Sequence, residues 1–168
     1  MKRLNIALTI ALAVALTTVA AVAQKAEPVT TVILVRHAEK APPVGDAEPL
    51  LSEAGAARAQ ALARMLADAH VTAVYTSQYK RTQLTGAPLT AAMHVEETVM
   101  PEVKDVAADI RAKHAGQTVL VVGHSNTVPQ LLAALGVENP PSIADAEYDN
   151  LFICTLAGGR ATVLRLKF

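Results

Sequence analysis

The sequence predicts an α/β domain: a three-layer α/β/α sandwich with a mainly parallel central sheet and a C-terminal antiparallel hairpin. Three observations predict it. Residues 30–35, a short run rich in Val and Ile, and residues 118–122 read as fully buried strands, and residues 73–76 as a further short strand. Segments with helical apolar spacing separate them, and strands alternating with helices imply parallel pairing through helical crossovers. Two further runs, residues 151–156 and 161–166, are joined through Gly158-Gly159 and read as a hairpin.

The elements follow in order. After the first strand, Ala41-Pro-Pro-Val-Gly45 is turn chemistry. Ser52 then precedes a helix whose Ala54, Ala57, Ala61, Leu62, Met65, Leu66 and Ala69 fall at helical spacing, with Arg58, Gln60, Arg64 and Asp68 largely opposite. The strand at 73–76 leads to a helical segment at 79–93, which Gly86 and Pro88 interrupt. Residues 95–99 form a brief strand. Pro101 suits a helix first turn, Val103, Val106, Ala107 and Ile110 line one face, and Gly116 ends that helix. Past the strand at 118–122, Ser125 or Asn126 caps a helix carrying Val128, Leu131, Leu132 and Leu135, with Pro129 tolerated in its first turn.

Bulk properties narrow the function classes. A chain of 168 residues suits one domain. Its formal charge of zero gives no electrostatic reason to expect nucleic acid or an anionic membrane as partner. Lys2 and Arg3, an apolar stretch from Ile6 to Leu16 and the small-residue site Ala21-Val22-Ala23 read as an export signal over residues 1–23. Cleavage before Gln24 removes two basic residues and no acid, taking the charge from zero to −2 and leaving a domain at 24–168 with no membrane span. An uncleaved anchor is the competing reading, diluted by Thr9, Thr17 and Thr18. The expected location is periplasmic or secreted. Cys154 is the single cysteine, so no internal disulfide and no multi-cysteine zinc site exist; its apolar flanks make it a core residue.

Ligands of open α/β sheets bind beyond the carboxyl ends of the strands. That rule selects residues 36–40, 77–81 and 123–126, which together carry Arg36, His37, Arg81 and His124. Arginine is a planar fork matched to phosphate oxygens. A neutral imidazole attacks phosphorus, and the charges of Arg36 and Arg81 lower the pKa of His37 and keep it neutral. Such a cationic cluster supplies the positioning and charge stabilisation that phosphoryl transfer needs.

These residues match a family. Leu34-Val-Arg-His-Ala-Glu-Lys40 resembles the Arg-His-Gly/Ala signature of the histidine phosphatase superfamily, the phosphoglycerate mutase-like proteins. Leu50-Leu-Ser-Glu-Ala-Gly55 with Gln60, Tyr75-Thr-Ser-Gln-Tyr-Lys-Arg-Thr82 and Val121-Val-Gly-His-Ser-Asn126 resemble three further family segments, in order. The resemblance implies that His37 becomes phosphohistidine and that Arg36, Arg81 and His124 bind the transferring group. Asn126 and Lys40 are further candidates to touch phosphate. It implies a phosphorylated small molecule or a phosphohistidine as substrate and no cofactor or metal. Glu96, Glu97 and Glu102 are candidates for the general acid, and Glu97 is the choice; Glu39 orients the loop. The alternatives are a phosphoglycerate mutase-type transfer and a non-catalytic phosphate binder on the same fold.

Three other motifs fail. Gly123-His-Ser-Asn-Thr127 lacks the final glycine of a serine-hydrolase elbow, and no histidine follows Ser125. His37-Ala-Glu39 has no downstream cysteine pair for a zinc deaminase. No Gly-rich nucleotide loop occurs. His70, His94 and His114 read as surface residues, and Glu147-Tyr-Asp-Asn150 as structural hydrogen bonding or a pocket rim.

Overall fold

The computed structural model describes residues 27–45 and 48–168. Residues 1–23, where the sequence leads one to expect an export signal, lie outside them. Among the described residues six strands and four helices follow as β1 (Thr30–Arg36), α1 (Glu53–Met65), β2 (Val71–Thr76), α2 (Lys80–Met93), β3 (Glu97–Val99), α3 (Val103–Lys113), β4 (Thr118–Gly123), α4 (Thr127–Ala134), β5 (Asn150–Ala157) and β6 (Arg160–Lys167). They form one sheet in the order β3-β2-β4-β1-β5-β6. β3, β2, β4 and β1 run parallel, while β5 pairs antiparallel with both β1 and β6.

Strand periodicity divides the core into two layers. Val32 and Leu34 of β1, with Val119 and Val121 of β4, pack under Val106 and Ile110 of α3 and Leu131 and Leu132 of α4. Ile33 and Val35, with Leu120 and Val122, pack under Leu62 and Leu66 on the α1 side and Leu89 of α2. Both faces of the central strands are therefore dry, which is why their sequences are continuous apolar runs without alternation. Cys154 is fully buried in the first layer.

Local chemistry explains the departures from the sequence reading. The helix at 80–93 runs through Gly86 and Pro88 unbroken. A Cβ at Gly86 would sit 3.3 Å from the Val74 side chain, so the glycine lets α2 lie close on the sheet. Thr127, and neither Ser125 nor Asn126, makes the polar contact at the start of α4: its hydroxyl accepts from His124 N at 2.8 Å. Asn126 holds the N-cap position with helical backbone angles and no side-chain bond. Gly158 and Gly159 both have positive φ, +55° and +74°, as a tight two-residue hairpin requires. His114 is half-buried, its Nε2 being 2.8 Å from the Tyr75 hydroxyl.

The first turn of α1 locks the loop after β1. Ser52 N and Oγ both donate to the Glu39 carbonyl, at 2.9 and 3.3 Å, and Ser52 Oγ accepts from Gly55 N at 3.1 Å. A cap of this kind contributes about 1 kcal/mol. A Cβ on Gly55 would lie 2.1 Å from the Glu39 oxygen, an overlap that only backbone movement relieves. Gly55→Ala is expected to lower unfolding free energy by about 2 kcal/mol or more, with a smaller loss for Gly86→Ala, both read by denaturant titration.

Candidate active site

Parallel pairing of β1 with β4 aligns Arg36 with Gly123. One further bond, His37 N to Gly123 O at 2.9 Å, carries the register past the strand ends. His37 and His124 therefore leave adjacent strands side by side, with ring centroids 5.3 Å apart and planes at 65°.

His37 is 4% exposed, and its Nδ1 lies 2.8 Å from the Ala38 carbonyl. A carbonyl only accepts, so Nδ1 carries the hydrogen and the Nε2 lone pair is free. The Ala38 N–H in turn donates to Thr85 Oγ1 at 3.0 Å, and that hydroxyl donates to Arg81 O at 2.7 Å. The His37–Ala38 peptide is thereby tied to the first turns of α2. Burial is the largest influence on His37 and brings its pKa down to about 4; the Ala38 bond opposes this, and Arg81, His124 and Arg36 push it lower. The sequence reading named only the arginine charges, whereas removal from water is the greater cause.

Arg36 is 7% exposed and divides its guanidinium between two tasks. Nη1 donates to three backbone carbonyls, Ala144 at 3.1 Å, Asp145 at 2.8 Å and Glu147 at 3.2 Å. The opposite edge is almost unused: Nη2 has one long contact, 3.5 Å to Tyr148 Oη, and Nε is buried with no partner. A buried donor without a partner costs about 1–3 kcal/mol. Nε and Nη2 form the parallel fork that grips two oxygens of one anion. Tyr148 stacks on this arginine, its ring centroid 4.1 Å from Cζ.

Arg81 and His124 form the facing wall. Arg81 Cζ lies 4.2 Å from the Tyr79 ring centroid, and the Tyr79 ring meets His124 edge-on at 5.3 Å. His124 Nε2 is 2.9 Å from Ser77 Oγ, which is 3.0 Å from Thr82 Oγ1, and Thr82 donates to Tyr79 O at 2.7 Å. If the Thr82 hydrogen takes that shortest path, Ser77 donates to Thr82 and His124 donates Nε2–H to Ser77. His124 Nδ1 is then the atom that gains a proton when an anion arrives. Burial first, then Arg81 and Arg36, hold its pKa at about 4.

The structure thus brings Arg36, His37, Arg81 and His124 together. It does not bring Glu97 to them. The Glu97 carboxylate accepts from Thr76 Oγ1 at 2.6 Å, on an edge strand three places from β1. Glu97 pairs with Val74, which is level with Leu120 and Ile33. That puts its backbone about 14 Å across the sheet and about 13 Å below His37. Lys40 and Asn126 are exposed, and the Lys40 backbone bridges Leu51. Glu39 gives its carboxylate to Arg58 at 2.7 Å, which holds it below the usual carboxylate range, and Arg58 also donates to Phe168 O. Tyr79 falls in the strand-end segment 77–81 and Tyr148 in the segment 147–150, so both leave a signal in the sequence, whereas Thr85 and Glu48 leave none. Among the described residues no group of three His, Cys, Asp or Glu side chains is placed to hold a metal ion. No helix among them is long and apolar enough to cross a membrane.

The family model for the histidine phosphatase superfamily, branch 1, matches residues 32–107. Over those residues the chain is similar to the histidine phosphatase superfamily. The matched stretch contains Arg36, His37 and Arg81; His124 lies beyond it and joins them through the β1–β4 register. Similar folds occur in the protein histidine phosphatase SixA complexed with tungstate (TM-score 0.68, 21% identity, 82% of this chain and 96% of that one). They occur also in an alpha-ribazole phosphatase from Shigella flexneri (0.66, 17%, 82% and 96%) and a mycobacterial glucosyl-3-phosphoglycerate phosphatase (0.60, 16%, 81% and 97%). No curated protein matches the chain.

The two imidazoles give a direct test. Nitrogen-detected NMR is expected to show His37 and His124 titrating near pH 4, with His37 in the Nδ1–H form. Inorganic phosphate is expected to raise the His124 midpoint by offsetting the two arginine charges. Midpoints at the ordinary 6.5 in the free protein would contradict the buried site.

Proposed function

We propose that this protein is a phosphatase that hydrolyses phosphomonoesters or phosphoamidates through a phosphohistidine on His37. The observation that carries the reading is the His37 imidazole, pinned by its Nδ1–H to Ala38 O with Nε2 free, beside the unpaired fork of Arg36. The dianionic end of a substrate seats on Arg36 and Arg81, which offset its charge so that a neutral nucleophile can approach phosphorus. Nε2 attacks, the P–O or P–N bond to the leaving group breaks, and the phosphoryl group moves to His37. Water then attacks phosphorus and returns the imidazole. His124 follows the charge on the equatorial oxygens, taking up a proton as the dianion binds. The family match over residues 32–107, and folds shared with proteins named a protein histidine phosphatase, an alpha-ribazole phosphatase and a glucosyl-3-phosphoglycerate phosphatase, support the reaction class.

Turnover of an aryl phosphate in EDTA, with an acid-labile phosphoenzyme trapped by rapid quench, is the expected result. His37→Ala is expected to reduce turnover by at least about a thousandfold and to abolish the trapped species. Activity surviving that substitution would remove the proposal.

We also propose that the protein acts outside the cytoplasm, on the support of the Lys2-Arg3 start, the apolar stretch and the Ala21-Val22-Ala23 site. Protein recovered from the producing cells is expected to begin at Gln24; a chain retaining Met1 would count against export by cleavage.

A further inference from the structure

We propose that Glu48 carries the leaving group's proton, as general acid in the attack step and general base in the hydrolysis step. This rests on the phosphohistidine reading above.

Among the described residues, Glu48 is the one carboxylate within ion-pair distance of either site arginine: its Oε1 lies 3.7 Å from Arg81 Nη1. The other acids near the cluster are engaged elsewhere. Glu39 is held by Arg58, Glu97 by Thr76, and Glu147 by Ala144 N, Arg165 and Lys167. Asp145 is exposed, with a long 3.4 Å contact to Ser125 Oγ. Glu48 is held firmly at one oxygen, because Oε1 also accepts from Lys80 N, the first residue of α2, at 2.6 Å. Its Oε2 has no hydrogen-bond partner among the described residues. The side chain is 35% exposed, so it faces solvent and the site together.

The distances limit where a substrate oxygen can be. An oxygen bound to Arg81 Nη1 at about 2.9 Å lies no more than about 7 Å from Glu48 Oε1. A phosphoryl dianion drawn onto Arg81 sets a second negative group beside the carboxylate. In the attack step His37 Nε2 bonds to phosphorus, and the electron pair of the breaking P–O bond passes to the leaving oxygen. That oxygen takes the proton from the Glu48 carboxyl, giving a neutral alcohol, phosphohistidine and a carboxylate. In the second step the carboxylate takes one proton from water as the hydroxide oxygen bonds to phosphorus. The P–N electron pair returns to His37, orthophosphate leaves, and Glu48 is protonated again.

The test is a series of esters, from dinitrophenyl through phenyl to benzyl phosphate, assayed on the full chain, on Glu48→Gln and on Asp145→Asn. Glutamine keeps an acceptor for Lys80 N, and thermal unfolding checks that each variant folds. The expected result is a selective loss: kcat/KM of Glu48→Gln stays near wild type on dinitrophenyl phosphate and falls about a hundredfold or more on benzyl phosphate. Phosphohistidine should accumulate in that variant, since the second step lacks its base, and Asp145→Asn should show no such leaving-group-selective loss. Equal loss on every ester would make Glu48 a support for Arg81 and overturn the proposal, as would no loss, or selective loss in Asp145→Asn instead. Failure of the phosphohistidine reading shows separately, as a wild-type protein with no trapped intermediate on any ester, and it takes this proposal with it.

Discussion

The parallel pairing of β1 with β4 is the constraint on which the site depends. It sets Arg36 against Gly123, and the His37 N–H closes the ladder on the Gly123 carbonyl. Side-chain direction alternates along a strand, so a slip of one residue would turn Val32 and Leu34 from the α3–α4 layer to the α1–α2 layer. Both layers are apolar and differently shaped, so the register is over-determined by packing. The two histidines inherit their separation from that packing and not from any bond between them.

Charge is the cost of this arrangement. Two arginines and two imidazoles share a region where Arg36 and His37 are almost fully buried. The protein relieves part of the strain by keeping the imidazoles neutral, by stacking Tyr148 and Tyr79 on the guanidiniums, and by spending Arg36 Nη1 on backbone carbonyls. What is left over is the Nε–Nη2 edge, positive and almost without partners.

Much of this was legible in the sequence, for physical reasons. Buried parallel strands advertise themselves as unbroken apolar runs, and strand ends in such sheets are where ligands bind, so Arg36, His37, Arg81 and His124 could be picked out before any coordinates. Gly55 was visible as a motif residue, but the overlap with the Glu39 carbonyl that requires it was not. The choice of Glu97 failed to meet the site because chain order says nothing about height on the sheet: β3 begins level with the middle of β2, well below the strand tips. Glu48 carried no signal, since a carboxylate in a Pro- and Gly-rich loop looks like any solvated acid. The carbonyls of residues 144, 145 and 147 were invisible because backbone atoms leave no mark in sequence.

β5 runs against β1, so the chain returning from α4 arrives at the same end of the sheet as Arg36 and enters β5 there. At residues 144, 145 and 147 Arg36 grips that incoming segment by main-chain oxygens. Any residue type at positions 144 and 145 supplies the same oxygens. Those two exposed side chains can therefore change while the arginine keeps its pose, so the surface beside Arg36 is free to diverge without disturbing the guanidinium itself.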